Sequence, residues 1–407
     1  MNLFALLEKG FPKNREDCSL ETPDGLYYSW RDIDRATAMM ANLLKSLKLP
    51  LGSRVAVQVE KSPEALFLYL ATLRAGYVYL PLNTAYQESE IQYFIENAEP
   101  AVVVCSTKNF SWISKVAFKA GTKNVFTLDD NRSGSLLERA SHCADQFKTV
   151  TKADDELAAI LYTSGTTGRS KGAMLTHGNL GSNALVLNKF WGWKEGDVLL
   201  HALPIFHVHG LFVAAHGALI NGSKMIWLPR LDTAQLIKHL PRSTVMMGVP
   251  TFYVRLLMDP NFNKEVCKNM RLFVSGSAPL LTETFNNFQK VSGHTILERY
   301  GMSETVMLVS NPYQGERMVV QSGLCCLVLR CAWLATLESS VVQMKSAALK
   351  FVAPIFLRAT GACPRRPLKS LRTMVGLRPV MSVAGVEKQV LGRCLIIIFA
   401  SLAAIRI

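Results

Sequence analysis

One loop limits what this chain can fold into. Tyr162-Thr163-Ser164-Gly165-Thr166-Thr167-Gly168-Arg169-Ser170-Lys171-Gly172 follows an apolar run, residues 157–161, that reads as a short buried strand. Three glycines and five Ser/Thr hydroxyls crowd into a segment that Lys171-Gly172 closes. Glycine lets a backbone fold back and aim its N–H groups at an oxyanion. Hydroxyls donate to phosphate oxygens, and a lysine supplies positive charge. Such a loop is suited to polyphosphate. It is not a Walker A loop, because the Gly-x-x-x-x-Gly-Lys-Ser/Thr spacing is absent. A flexible Ser/Gly linker is the plain alternative; the strand leading in and the lack of repeats speak against it.

Four further segments stand in order around this loop. Upstream is Leu73-Arg74-Ala75-Gly76-Tyr77-Val78-Tyr79-Leu80-Pro81-Leu82-Asn83. Downstream are Pro204-Ile205-Phe206-His207-Val208-His209-Gly210, Val274-Ser275-Gly276-Ser277-Ala278-Pro279-Leu280 and Glu298-Arg299-Tyr300-Gly301-Met302-Ser303-Glu304-Thr305. Together with the loop they resemble the core motifs of the adenylate-forming superfamily of acyl-CoA synthetases, peptide-synthetase adenylation domains and luciferases. The resemblance covers about residues 1–318 and stops there. It implies an acid–thiol ligase that uses ATP, Mg2+ and CoA.

The order of elements agrees. Ser29 is placed to cap a helix towards Leu47, with Ile33, Ala36, Met40 and Leu44 on its buried face. Strand patterns at 54–59, 78–82, 101–105 and 124–128 alternate with helices, one of which has Pro63 in its first turn. After the loop, a helix from His177 to Phe190 and strands near 197–202, 224–228, 245–250 and 272–275 continue the pattern. Residues 210–219 are small and apolar, as in a tightly packed helix. Alternation predicts an α/β fold, the large N-terminal domain of the superfamily, with layered, doubly wound, mainly parallel sheets. Ligands in such sheets lie at strand carboxyl ends, where the motifs fall.

Charge does not point to nucleic acid. The net charge of +14 is carried mostly by residues 319–407, which hold 12 Lys and Arg against 2 acids. Five of the nine cysteines also lie there, without zinc or disulfide-framework spacing. The first ten residues lack a signal-peptide pattern and read as an amphipathic helix. No apolar run reaches the roughly 18 residues of a membrane span. The expectation is a cytoplasmic enzyme with a small-molecule carboxylate substrate and no nucleic-acid partner. Its oligomeric state is not legible.

Activating a carboxylate requires held phosphates, a neutralising cation and an acid placed in line with the α-phosphate. Glu304 is the magnesium candidate, since a hard cation takes carboxylate oxygen. The resemblance assigns Thr163, Ser164, Gly165, Thr166, Thr167, Gly168 and Lys171 to the phosphates, with Ser303 beside them. It assigns Gly276, Ser277, Ala278, Pro279, Glu298, Tyr300 and Gly301 to the nucleotide. Thr163, Lys171, His207 and Glu304 are the catalytic candidates, and His207 is also the acyl-pocket candidate. Arg299 stands where many relatives carry a neutral residue. Facing a pocket, an arginine holds a second carboxylate bidentately. With Ser277 and His207 it makes the chain resemble malonyl-CoA synthetases, a branch of the superfamily. The plain alternative pairs Arg299 with Glu298 or another surface acid. Other readings are a medium- or long-chain acyl-CoA synthetase and a non-catalytic nucleotide- or acyl-binding fragment.

Past residue 318 the resemblance fails. The family's ribose-binding aspartate, hinge and lysine-bearing small domain are not recognisable, and no aspartate follows Asp259. Residues 319–407 read as a basic, Cys-rich tail from a shifted reading frame or retained non-coding segment, or as a genuine divergent tail. Without that lysine, adenylation is expected to be slow and thioester formation to fail.

Overall fold

A computed structural model describes residues 1–163 and 169–317. The expectations for residues 164–168 and for the tail therefore lie outside the described residues. In chain order the elements are α1 (Leu3–Glu8), β1 (Cys18–Glu21), β2 (Tyr27–Ser29), α2 (Trp30–Ser46), β3 (Arg54–Gln58), α3 (Pro63–Arg74), β4 (Val78–Pro81), α4 (Glu88–Ala98), β5 (Val102–Cys105), α5 (Phe110–Lys119), β6 (Asn124–Thr127), α6 (Ser135–Ser141), β7 (Leu157–Thr163) and β8 (Lys171–Thr176). They continue with α7 (His177–Phe190), β9 (Val198–His201), a π-helical turn (His209–Ala215), α8 (His216–Asn221), β10 (Lys224–Trp227), α9 (Thr233–His239), β11 (Val245–Gly248), α10 (Pro250–Met258), β12 (Leu272–Ser275), α11 (Thr282–Ser292), β13 (Ile296–Met302) and β14 (Val306–Ser310).

Two sheets result. One runs β14-β13-β12-β11-β9-β10-β1-β2 and the other β6-β5-β3-β4-β7-β8. Their interiors are parallel, as alternation predicts, but three pairs are antiparallel: β1 with β2, β7 with β8, and β13 with β14. The sequence reading did not anticipate these hairpins. Two of them carry ligand motifs at their turns, where Gly, Ser and Thr break the apolar pattern from which strands are read.

Local sequence explains the main helices. Ser29 accepts the Asp32 N–H, and the Asp32 carboxylate accepts the Ser29 N–H at 2.8 Å, a capping box that opens α2. Ser62 caps α3 ahead of Pro63. Every residue of α3 is buried, and apart from Glu64, Thr72 and Arg74 the helix is mostly apolar, as a helix covered on all sides tends to be. It sits between the two halves: its Tyr69 hydroxyl lies 2.7 Å from His216 Nε2 on α8. The largest core spans both sheets and these helices. A second core lies between the β3–β5 sheet and α4/α5, around Ile91, Phe94 and Ile113. Among the described residues no helix is long and apolar enough to cross a membrane.

Candidate active site

The phosphate-loop candidate hangs between β7 and β8. Thr163 and Lys171 are opposite each other in the ladder, and Thr163 Oγ1 is 3.5 Å from Lys171 O. Thr163 is half-buried and Lys171 is exposed. The returning limb is tied to α4: Tyr93 donates to Ser170 O at 2.8 Å, and the Arg169 guanidinium stands 5.5 Å from the Tyr93 ring centroid. Tyr162 donates to Asn97 Oδ1 at 2.6 Å. The loop's two ends are thus fixed by backbone pairing and ring packing. Ser164, Gly165, Thr166, Thr167 and Gly168 lie outside the described residues.

At the carboxyl end of β12 the chain turns through Gly276-Ser277-Ala278-Pro279. Gly276 is buried and the next three residues are exposed. Ser277 adopts φ +69, uncommon for a residue with a Cβ. The turn is held from the next strand: buried Glu298 accepts the Leu280 N–H at 3.1 Å. Glu298 also shares its backbone O with Asn311, through that residue's N–H and Nδ2.

Beyond Arg299, β13 presents Tyr300, 37 % exposed, then Gly301. A tight turn, Ser303-Glu304-Thr305, leads back into β14, with the Thr305 N–H donating to Met302 O at 3.3 Å. Ser303 and Glu304 are half-buried on this turn. Gly301 is required here, because a Cβ would overlap Val306 O. Val306 follows at φ +59, a strained state for a β-branched residue. The hairpin reaches the phosphate-loop side through α7, where Asn183 donates to Met307 O at 3.3 Å.

The most informative group is Arg299. It is 3 % exposed, and its Nε and Nη2 have no hydrogen-bond partner among the described residues. Its guanidinium lies against Gly276, where any Cβ would collide with it. No salt bridge with a described acid forms, so the surface-pair alternative does not describe its setting. Burial pushes the guanidinium down to about 9, with the Tyr253 hydroxyl nearby. Tyr253, on α10, is itself buried and donates to Val274 O at 2.6 Å.

His209 lies close enough to this arginine to feel its charge. It is buried, its Nδ1 stands 3.5 Å from Ser277 Oγ, and its Nε2 has no partner among the described residues. Burial, reinforced by the charge on Arg299, holds His209 well below the ordinary histidine range and therefore neutral. His207, the sequence candidate, is exposed beside Phe206, at 4.5 Å between ring centroids. Sequence reasoning missed His209 and Tyr253. A signal existed for the first: His209 adjoins the apolar run 210–219, whereas His207 lies before it, in the turn after Pro204.

Residues 11–334 match the family described as AMP-binding enzyme. The chain belongs to the AMP-binding enzyme family. Malonate–CoA ligase of Arabidopsis thaliana is 30% identical over 287 residues, covering 65% of this chain and 47% of that protein. The mitochondrial malonate–CoA ligase of Mus musculus is 35% identical over 269 residues, covering 61% and 45%. Among solved structures, ATP-bound MatB from Rhodopseudomonas palustris is 48% identical with a TM-score of 0.77, covering 81% of this chain and 64% of that one. This chain spans about half the length of the curated relatives it matches.

Proposed function

We propose that this chain is built to activate malonate, or a short 2-substituted malonate, with ATP, in the manner of an acid–CoA ligase. The observation that carries this reading is buried Arg299, whose Nε and Nη2 have no partner among the described residues, near neutral His209 and Ser277. A monocarboxylate pocket has no use for an uncompensated buried cation, which is expensive to maintain. The second carboxylate of a dicarboxylic acid supplies the missing charge and two acceptors.

In the reaction so proposed, one carboxylate oxygen of the acid bonds to the α-phosphorus of ATP as the bond to pyrophosphate breaks. The CoA thiolate then takes the acyl group and AMP leaves. Arg299, Ser277 and His209 hold the distal carboxylate and so orient the reacting one. The family resemblance gives the phosphates to Thr163 and Lys171 with Ser303, and by sequence motif to Ser164, Gly165, Thr166, Thr167 and Gly168. Gly276, Ala278, Pro279, Glu298, Tyr300 and Gly301 frame the nucleotide. His207 borders the acyl entrance as a catalytic candidate. Glu304 offers a single half-buried carboxylate. That suits Mg2+, which binds through one or two carboxylates with phosphates and water completing its shell. When bound, the ion would neutralise charge on the phosphates.

A second reading, nucleotide and acid binding with slow turnover, is favoured by the sequence after residue 318, where no aspartate or family lysine motif occurs. Under either reading the domain boundary falls near 318, and the setting proposed is the cytoplasm. Fractionation decides the setting, because the mouse relative is named mitochondrial. ATP–pyrophosphate exchange with malonate, propionate and octanoate tests the main reading. Malonate-dependent exchange supports it. Exchange only with octanoate contradicts it. Binding of both ATP and malonate without exchange selects the second reading.

A further inference from the structure

Lys61 lies in the turn between β3 and α3, outside every motif above, and is buried. Its ammonium meets three acceptors: His201 Nδ1 at 2.8 Å, His201 O at 2.9 Å and Leu228 O at 2.6 Å. The Trp227 ring centroid is 4.4 Å from Nζ, and the His201 ring stacks on the same indole at 4.4 Å. A lysine from one sheet thus clamps the carboxyl ends of β9 and β10 in the other. The outer nitrogen of His201 continues the chain, with Nε2 2.8 Å from Gly210 O. Gly210 is the residue after His209, inside the π-helical turn.

With His201 neutral, donor counting fixes the protons. Gly210 O can only accept, so His201 Nε2 must carry hydrogen. With His201 neutral, Nδ1 is then an acceptor, and only an ammonium can donate to it and to both carbonyls at once. Were both groups neutral, one contact would set two lone pairs against each other. Burial lowers the proton affinity of each group. The network nonetheless closes with a single positive charge, stabilised by the indole face and the carbonyls. A π-helical turn is an irregular and costly stretch of helix. Here one of its carbonyls is held by a side chain from a neighbouring strand, and the residue beside that carbonyl is the histidine near Arg299 and Ser277.

We infer that Lys61 and His201 are positioning residues that hold the His209 turn in register with Ser277 and Arg299, and thereby set the distal half of the acid pocket. The inference rests on the reading of that pocket as a dicarboxylate site, but its first readout does not depend on malonate. Two-dimensional 15N–1H spectra of histidine-labelled full-length chain report each imidazole tautomer. At neutral pH His201 is expected as the Nε2–H tautomer; an Nδ1–H tautomer overturns the inference. In Lys61→Met the His209 ring resonances are expected to move. Malonate affinity should fall on the order of tenfold, as when a buried partner is left unsatisfied, with ATP affinity unchanged. His201→Phe keeps the stack on Trp227 but removes the donor to Gly210 O, and should reproduce both effects if Lys61→Met does not fold. Unmoved His209 resonances in a folded variant overturn the inference, as does wild-type malonate affinity in that variant. If the wild-type chain itself fails to bind malonate, the functional reading falls, and the His209 resonances alone decide whether the clamp positions the turn.

Discussion

Lys61 and Arg299 are both buried cations without a carboxylate partner among the described residues, yet their surroundings are opposite. Lys61 gives its hydrogens to two carbonyls and an imidazole, and an indole covers it. Arg299 lies against Gly276, and its Nε and Nη2 have no partner among the described residues. Arg74 shows that the fold can pair both terminal nitrogens of a buried guanidinium when structure is the purpose, leaving only its Nε without a hydrogen-bond partner among the described residues. It donates to Asp34 O, Thr37 and Phe147 O and reaches the Asp34 carboxylate at 2.8 Å. A folded protein tolerates an unsatisfied buried charge mainly where a ligand completes it. Under the proposed function, the contrast separates a group that holds the molecule together from one that the anion of the substrate would complete.

The largest effect expected from breaking the contrast is at Arg299. Arg299→Leu should reduce malonate-dependent pyrophosphate exchange by roughly 100-fold or more while leaving ATP affinity intact. Equal exchange in the variant would show that the arginine does not face the acid. At Lys61 the effect should be on stability: Lys61→Met strands three acceptors and is expected to lower unfolding free energy by about 3 kcal/mol in urea titration. Arg299→Leu should move stability the other way, up by about 1–2 kcal/mol, since it removes an uncompensated charge. A destabilised Arg299→Leu would mean that the guanidinium is satisfied in the folded state.

The smallest expected effect sharpens the same distinction with a histidine. His177 accepts the Leu3 N–H through Nδ1 at 3.0 Å, and burial lowers it to about 4. The unfolded chain takes up this proton near 6.5 and the folded chain only near 4. Its contribution is therefore intact above 6.5 and lost progressively as pH falls through that window, by about 1.4 kcal/mol for each pH unit. Urea midpoints between pH 7 and 4 measure it, and His177→Gln should flatten the slope. His216, held down to about 3 by burial, adds to the loss across the same window and extends it below.

Much of the fold was legible because its helices are bounded by chemistry that can be read locally. Ser29 and Ser62 stand where caps should, and Pro63 stands at a first turn. The hairpins were not legible, because β8 is interrupted by Gly172 and has a half-exposed face, leaving no apolar run to see. The site divides similarly. Arg299 could be singled out, because an arginine inside a glycine-rich ligand motif is unusual chemistry. Choosing between His207 and His209 required knowing that a π-helical turn begins at His209 and carries it inward. Lys61 gave no signal at all. A lysine after a strand and before a helix is ordinarily a solvated residue, and only the meeting of two sheets buries it.

The central claim is that Arg299 selects a second carboxylate. Isothermal titration of malonate and of propionate into the full chain, with a non-hydrolysable ATP analogue present, tests it most directly. The two acids are similar in size and differ in one ionised group. The account predicts that malonate binds at least about 100-fold more tightly, the discrimination expected of a site with unpaired buried donors, and that Arg299→Leu erases the preference. Equal affinity for the two acids in the wild-type chain would contradict it.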